Sequence, residues 1–238
     1  NSDVVLTVTS SDSGEATVTS TLTFTSANWD TPQTITVTGV NDDLIDGDIV
    51  STVTVVVDDA NSNDDFDAVA DQTVSVTTTD DDVAGFTIVE SDGSTEVAES
   101  GTTDTFTIVL DAQPTSDVVL TVTSSDTGEA TVTSSLTFTP ANWDTPQTIT
   151  ITGVDDDIID GTVTSTITIS VVDASSNDNF DSVADQTVSV TTTDDDVAGF
   201  TIVESDGSTE VAESGTTDTV TVVLDAQPTS DVVISISS

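Results

Sequence analysis

A four-residue segment, Ser-Asp-Val-Val, occurs three times in this sequence, at Ser2, Ser116 and Ser230, with a spacing of 114 residues. The sequence between these occurrences repeats as well, because most aligned positions are identical and the others are mainly conservative apolar exchanges. Such a period is too long for one coil of a solenoid and has the size of an independently folding module. The repeat therefore restricts the chain to a tandem array of similar domains.

The phase of the repeat predicts the domain boundaries. We expect the C-terminal part of one repeat in residues 1–82, a complete repeat in 83–196 and the N-terminal part of a further repeat in 197–238. We also expect the native polypeptide to continue beyond both ends in the same register. A subunit that polymerised by strand donation would instead duplicate the strand that begins at Ser2, because its copy begins at Ser230.

Apolar residues alternate with Thr and Ser through the complete repeat, which is the period of half-buried strands. At least seven such segments are separated by turn sequences, and none has the 3.6-residue period of a helix. The predicted fold class is all-β, in the form of tandem immunoglobulin-like antiparallel β-sandwiches. The predicted core consists of Phe106, Ile108, Leu120, Val122, Phe138, Ile149, Ile151, Ile167, Ile169 and Val190.

The charge of the chain excludes several functions. It has 45 Asp and Glu residues and no Lys, Arg or His, so its net charge at pH 7 is -45 and its compact state is self-repelling unless cations bind. Nucleic acids and anionic membrane surfaces are excluded as partners, and no apolar stretch is long enough for membrane insertion. We expect no enzyme, because no Cys is present and no nucleophile has a His or Lys base.

Carboxylates concentrate at three places in the complete repeat. The segment Asp155-Asp156-Asp157-Ile158-Ile159-Asp160 follows a strand, a run of three Asp closes the repeat at 194–196, and Glu99 and Asp126 lie at strand edges or in loops. Ca²⁺ accepts about six to eight oxygen ligands in flexible geometry, whereas transition metals are disfavoured without His or Cys. The spacing does not fit an EF-hand, so any site must combine separate loops. The alternative is that these runs only keep the surface soluble, and composition does not separate the two.

The motifs of the repeat resemble the Calx-beta domain, which occurs in sodium/calcium exchangers and in many bacterial surface and RTX-type adhesin proteins. The resemblance rests on Val97-Ala98-Glu99-Ser100-Gly101, Leu136-Thr137-Phe138-Thr139-Pro140 and Ile149-Thr150-Ile151, together with the acidic segments. In that family the corresponding acidic residues bind several calcium ions at one end of the sandwich. The resemblance implies Ca²⁺ ligands at Glu99, Asp126, Asp155, Asp156, the carbonyl of Ile158, Asp160, Asp194, Asp195 and Asp196.

Other copies contribute the same positions as candidate ligands, namely Asp12, Asp42, Asp46, Asp80, Asp81, Asp82 and Glu213. The copies differ in detail, because Asn41 occupies the position of Asp155, and Asp48 that of Thr162. Gly161-Thr162-Val163 also departs from the acidic continuation that the family's exchanger-type loop has. We therefore expect the number of ions and their affinity to differ between copies.

These features predict a calcium-stabilised structural or extender repeat of a long extracellular adhesin or filament at the cell surface, without catalytic activity. Its expected partners are adjacent repeats of the same chain and, in a filament or at a surface, other copies or a cell-surface ligand. The alternative is a calcium-dependent module that binds a ligand or glycan. Trp29 and Trp143 would be its stacking platform, but a sugar site usually needs several aromatic residues, so we expect these two to cap the core.

Overall fold

The structure is a computed structural model that describes residues 3–237. Nearly all of the regular structure in this range is β-strand. The helical segments there are short 3₁₀ turns, none long and apolar enough to span a membrane: Asp59–Asn61, Asp64–Phe66, Asp173–Ser175 and Asp178–Phe180. The chain divides into two compact units. One runs to Ala84 and includes Ala112–Thr115, and the other comprises Gly85–Asp111 and the residues from Ser116 onward.

The first unit contains a four-stranded antiparallel sheet in the order β3-β1-β5-β6 and a two-stranded sheet of β2 and β4. Its strands are β1 Val4–Ser10, β2 Ala16–Val18, β3 Thr21–Phe24, β4 Val37–Gly39, β5 Ile49–Val57 and β6 Gln72–Thr78. Val8 and Val53 are buried, whereas Leu6 and Val55 are half-buried and Phe66 is 45% exposed. The described residues of this unit include no strands aligned with the opening strands of the complete repeat, so its apolar face is only partly covered.

The strands of the predicted complete repeat lie in the second unit and form two sheets, in the orders β12-β10-β14-β15-β8 and β11-β13-β9-β7, although Ala112–Thr115 belong to the first unit. The strands of the repeat are β7 Phe86–Glu90, β8 Thr95–Ala98, β9 Thr103–Leu110, β10 Val118–Ser124, β11 Ala130–Val132, β12 Ser135–Phe138, β13 Gln147–Gly153, β14 Val163–Val171 and β15 Gln186–Thr193. The predicted all-β sandwich is confirmed. Two further strands, β16 Phe200–Glu204 and β17 Val220–Leu224, pair with each other and are largely exposed.

The apolar alternation of the strands places one row of side chains between the two sheets. Every residue of the predicted core is at most 1% exposed, so this prediction is confirmed. Phe106 on β9 and Ile149 on β13 are register partners and are both fully buried. Burying a side chain of this size contributes about 1.5–3 kcal/mol, so these rows dominate the stability of the repeat.

One strand pair departs from the antiparallel pattern. Strand β8 runs parallel to β15, with Thr95 opposite Val190 and Ala98 opposite Thr193. The two strands therefore end side by side at the same edge of the sheet. The backbone of β13 also approaches β8 closely, because Gly153 leaves room for the carbonyl group of Ala98. These two contacts bring the beginning, middle and end of the repeat together.

Candidate metal centre

The parallel ends of β8 and β15 deliver acidic residues to one place. Glu99 follows β8 directly, and its backbone N–H donates to the carbonyl oxygen of Thr193 at 3.1 Å. Asp194 and Asp196 follow β15. A carboxylate from the first third of the repeat is therefore fixed beside the Asp run that closes it.

Five carboxylates form two overlapping groups with the spacing of metal ligands. One oxygen of each of Glu99, Asp194 and Asp196 lies within 4.8 Å of the others, and the same holds for Glu99, Glu129 and Asp160. Glu129 immediately precedes β11, and Asp160 lies in the loop between β13 and β14. Glu99 belongs to both groups, so the centre can hold more than one cation with Glu99 between them.

Burial separates this centre from an ordinary acidic surface. Glu99 is 1% exposed and Glu129 is 6% exposed. The Oε2 atoms of both residues, and Oδ2 of Asp196, are buried without a hydrogen-bond partner among the described residues. An unpaired buried carboxylate oxygen is costly, and a bound cation supplies the missing partner.

The pKa values of Glu99 and Glu129 also show that their charged forms are disfavoured without a cation. Burial, followed by repulsion from Asp194, Asp156, Glu129 and Asp160, raises the pKa of Glu99 to about 7. Burial is also the main cause that raises the pKa of Glu129. In contrast, the backbone N–H groups of Gly161 and Asp196 lower the pKa of Asp194. Asp194 is thus held as an anion beside a buried glutamate that its charge destabilises.

The centre includes only some of the predicted ligands. Glu99, Asp160, Asp194 and Asp196 are brought together. Asp126 instead closes a turn, with its Oδ1 accepting from the N–H of Gly128 at 2.9 Å. The charge of Asp126 nevertheless raises the pKa of Glu129. Asp126, Asp155, Asp156 and Asp195 lie outside both groups, and their role as ligands stays a prediction.

Sequence reasoning missed Glu129. The segment Thr127-Gly128-Glu129 has the Gly and polar residues of a turn, so its composition does not single out Glu129 as a ligand. The available signal was its place directly before the buried Ala130 that opens β11, together with an acidic residue, Glu15, at the same place in the first unit. An acidic residue that opens an inward-facing strand is directed toward the end of the sandwich.

The first unit has an open counterpart of this centre. A cavity of about 560 Å³ is lined by acidic residues that include Glu15, Asp42, Asp46, Asp80, Asp81 and Asp82. Oδ2 of Asp80 accepts from the N–H groups of Asp46 and Gly47, as Asp194 does from Gly161. The pKa values of Glu15, Asp46 and Asp82 are raised, mainly by burial.

Two other residues that the sequence predicts as calcium ligands lie outside the groups with metal-ligand spacing. Asp12 closes a turn onto Gly14, in the manner of Asp126. Glu213 is exposed and belongs to neither group of metal-ligand spacing found in residues 3–237. Both stay predictions as ligands.

The ligand atoms available in this centre are all oxygens. Ca²⁺ prefers carboxylate and carbonyl oxygens and tolerates irregular arrangements, whereas Mg²⁺ requires nearly octahedral geometry and retains water. The candidate ligands come from four separate chain segments, and Glu99, Glu129 and Asp196 each have a buried oxygen without a hydrogen-bond partner among the described residues. The residues present therefore fit calcium.

No protein-family model matches this sequence, and no curated protein matches it. Solved structures that match this chain include domains 4 and 5 of the S-layer protein SbsC, with 19% identity over 79% of this chain and 70% of that chain and a TM-score of 0.35. The Calx CBD1 domain in its apo form matches 47% of this chain and 98% of its own, with 16% identity and a TM-score of 0.35. The calcium binding domain CBD12 of CALX1.1 matches 71% and 66%, with 16% identity and a TM-score of 0.34. These are distant likenesses.

Proposed function

We propose that the complete repeat is a non-catalytic structural module of an extracellular protein, stabilised by calcium bound at Glu99, Glu129, Asp160, Asp194 and Asp196. The observation that carries this proposal is the pair of buried, unpartnered Oε2 atoms on Glu99 and Glu129, at the meeting point of two carboxylate groups. Such an arrangement opposes folding on its own and favours it once a divalent cation is present.

Calcium would act as a cross-link within the repeat. Its ligands follow β8, precede β11, lie between β13 and β14, and follow β15. A cation that joins these segments binds the folded state and has no preformed site in the unfolded chain. At a concentration about 100 times its Kd, such a ligand stabilises the fold by about 2.7 kcal/mol.

A structural role is supported by the repeat itself. Nearly identical domains in tandem add length, and none of the residues supplies a His, Lys, Arg or Cys for catalysis. Extracellular calcium modules typically bind with a Kd of about 10⁻⁴ to 10⁻³ M, which suits a part that is permanently loaded outside the cell. We therefore favour the extender region of a surface adhesin or filament.

The glycan-binding alternative has less support. Trp143 is half-buried, and its carbonyl oxygen accepts a hydrogen bond from the N–H of Leu110 at 3.1 Å. Its counterpart Trp29 is 71% exposed. Trp29 lies in the first unit, whose apolar face is only partly covered. This pattern supports the capping role for the tryptophan.

The test is a calcium titration of the 238-residue chain in which heat of binding and melting temperature are both measured. We expect saturable binding and a melting temperature that rises with calcium, with a much smaller effect of magnesium at equal ionic strength. Equal effects of both ions would mean that general screening of the charge is sufficient. No saturable binding at millimolar calcium would overturn the proposal.

A further inference from the structure

A short backbone contact joins the loop of the metal centre to the next repeat. Gln227 lies in the turn after β17, and its N–H donates to the carbonyl oxygen of Asp157 at 2.5 Å. The N–H of Ile159 donates in turn to the carbonyl oxygen of Gln227 at 3.3 Å. The result is an isolated parallel bridge between Ile158 and Gln227, within the second unit.

This bridge fixes the direction of the peptide groups of Ile158. In extended backbone, the N–H and C=O of one residue lie on the same side of the strand, and those of its neighbours lie on the opposite side. Because Asp157 and Ile159 both bond to Gln227, the N–H and C=O of Ile158 face away from it. The N–H of Ile158 meets Oδ1 of Asp156 at 2.7 Å, so its carbonyl also faces the acidic side of the loop.

The first unit contains the same arrangement. There, Leu44 forms the bridge with Gln113, whose N–H donates to the carbonyl oxygen of Asp43 at 2.6 Å. The N–H of Leu44 meets Oδ1 of Asp42 at 3.0 Å, as Ile158 meets Asp156. Two occurrences with matching hydrogen bonds indicate a built feature of the repeat.

We propose that the main chain of Gln227 is a positioning element of the metal centre, which holds the Ile158 carbonyl toward the cation. This inference rests on the proposed calcium binding. A neutral carbonyl oxygen adds a ligand without adding charge, which matters where Glu99 is already repelled by its neighbours. The turn that follows β17 in one repeat thereby completes the coordination shell of the repeat before it.

The arrangement makes calcium binding and docking of the following turn mutually dependent. If the bridge raises the affinity for calcium by some factor, calcium strengthens the bridge by the same factor. A repeat without a following turn is then a weaker calcium site than a repeat inside the array.

The test compares Gln227→Pro, which removes the N–H that donates to Asp157, with Gln227→Ala, which keeps the backbone. Calcium is titrated into the 238-residue chain, and the carbonyl ¹³C shift of Ile158 is followed by NMR, with Leu44 as an internal control in the same sample. We expect the Gln227→Pro variant to bind about tenfold more weakly at Ile158, because supporting contacts of metal ligands commonly contribute this much. Gln227→Ala should match the wild type, and the response of Leu44 should be unchanged in both.

Unchanged affinity and an unchanged Ile158 shift in Gln227→Pro would overturn the inference. If that variant fails to fold, hydrogen exchange of the wild type decides. The amide of Gln227 should exchange several-fold more slowly with calcium, and equal rates with and without calcium contradict the inference. If calcium raises the melting temperature but leaves the carbonyl ¹³C shift of Ile158 unchanged, this inference alone is wrong. If no calcium binds, the proposed function is wrong as well.

Discussion

Gly153 on β13 packs so closely against Ala98 on β8 that a Cβ atom at Gly153 would overlap the carbonyl oxygen of Ala98. The neighbouring residue of Ala98 is Glu99, so this contact sets the depth at which the shared carboxylate lies. The equivalent glycine of the first unit, Gly39, has no such contact, since its nearest atom would be Cγ2 of Thr78 at 3.9 Å.

We therefore expect Gly153→Ala to destabilise the complete repeat by about 3 kcal/mol or more, the upper end of the usual cost of overpacking. We also expect it to weaken calcium binding. Gly39→Ala is the matched control and should change stability by less than about 0.5 kcal/mol. Urea denaturation and calcium titration of both variants measure the effects. Equal behaviour of the two variants would contradict the close packing.

Glu99→Gln should act in opposite directions with and without calcium. Without calcium at pH 8, where Glu99 is ionised, a neutral amide removes the cost of burying the charge and the repulsion from Asp194, so the melting temperature should rise. With calcium at about 100 times the wild-type Kd, most of the gain of about 2.7 kcal/mol should be lost, because both carboxylate groups share Glu99. Glu96→Gln, at an exposed position on β8, is the control and should keep the full response to calcium.

The raised pKa of Glu99 predicts how stability depends on pH. The folded chain holds its proton up to about pH 7, whereas the group in the unfolded chain loses it near 4.5. This contribution to calcium-free stability is therefore complete below about pH 4.5 and is lost as the pH rises to about 7. Glu129, whose pKa is also raised, acts in the same direction.

Calcium binding should show the opposite trend, because it requires the ionised carboxylate, so affinity should increase from pH 5 to pH 8. Urea denaturation in a chelator and calorimetric titration across this range measure the two trends. Calcium-free stability that rises between pH 5 and pH 7 would mean that Glu99 is not protonated in the fold.

The two units offer equivalent positions that differ in burial, so the contribution of core packing can be measured by comparing them. Ile151 is fully buried between the sheets, whereas Val37, at the same position of the first unit, is 41% exposed. Ile151→Ala should cost about 2–5 kcal/mol, and Val37→Ala less than about 0.5 kcal/mol. Each unit contains one tryptophan, so unfolding of each can be followed by fluorescence after the other tryptophan is replaced by Phe. Similar costs would indicate that the first unit buries Val37.

The strands and the core could be predicted because alternation is a local property. Ile149 and Ile151 face inward as a consequence of the two-residue period of β13, and no long-range information is needed to assign them. The Asp run at 194–196 was likewise visible as three adjacent like charges. The structure adds that backbone N–H groups stabilise Asp194 as an anion and that Asp195 belongs to neither of the two carboxylate groups.

The remaining features depend on contacts between distant segments. Thr95–Ala98 is a four-residue strand, and nothing in its sequence identifies β15, at the far end of the repeat, as its parallel partner. The resemblance to Calx-beta domains grouped Glu99 with Asp194, but the residues alone do not, and the importance of Glu129 is not apparent without that pairing. The bridge at Gln227 could not be predicted either, because a single pair of backbone groups leaves no pattern of side chains in the sequence.

The parallel pairing of β8 and β15 also determines how the repeat responds to mechanical force. These strands lie near the beginning and the end of the module, so tension along the array pulls them in opposite directions past each other. The backbone hydrogen bonds between Thr95–Ala98 and Val190–Thr193 are then loaded together in shear and must break at nearly the same time, whereas a hairpin pulled at its open end would unzip one bond after another. We therefore expect the edge of the sheet that gathers the carboxylates to be the part of the repeat that resists extension.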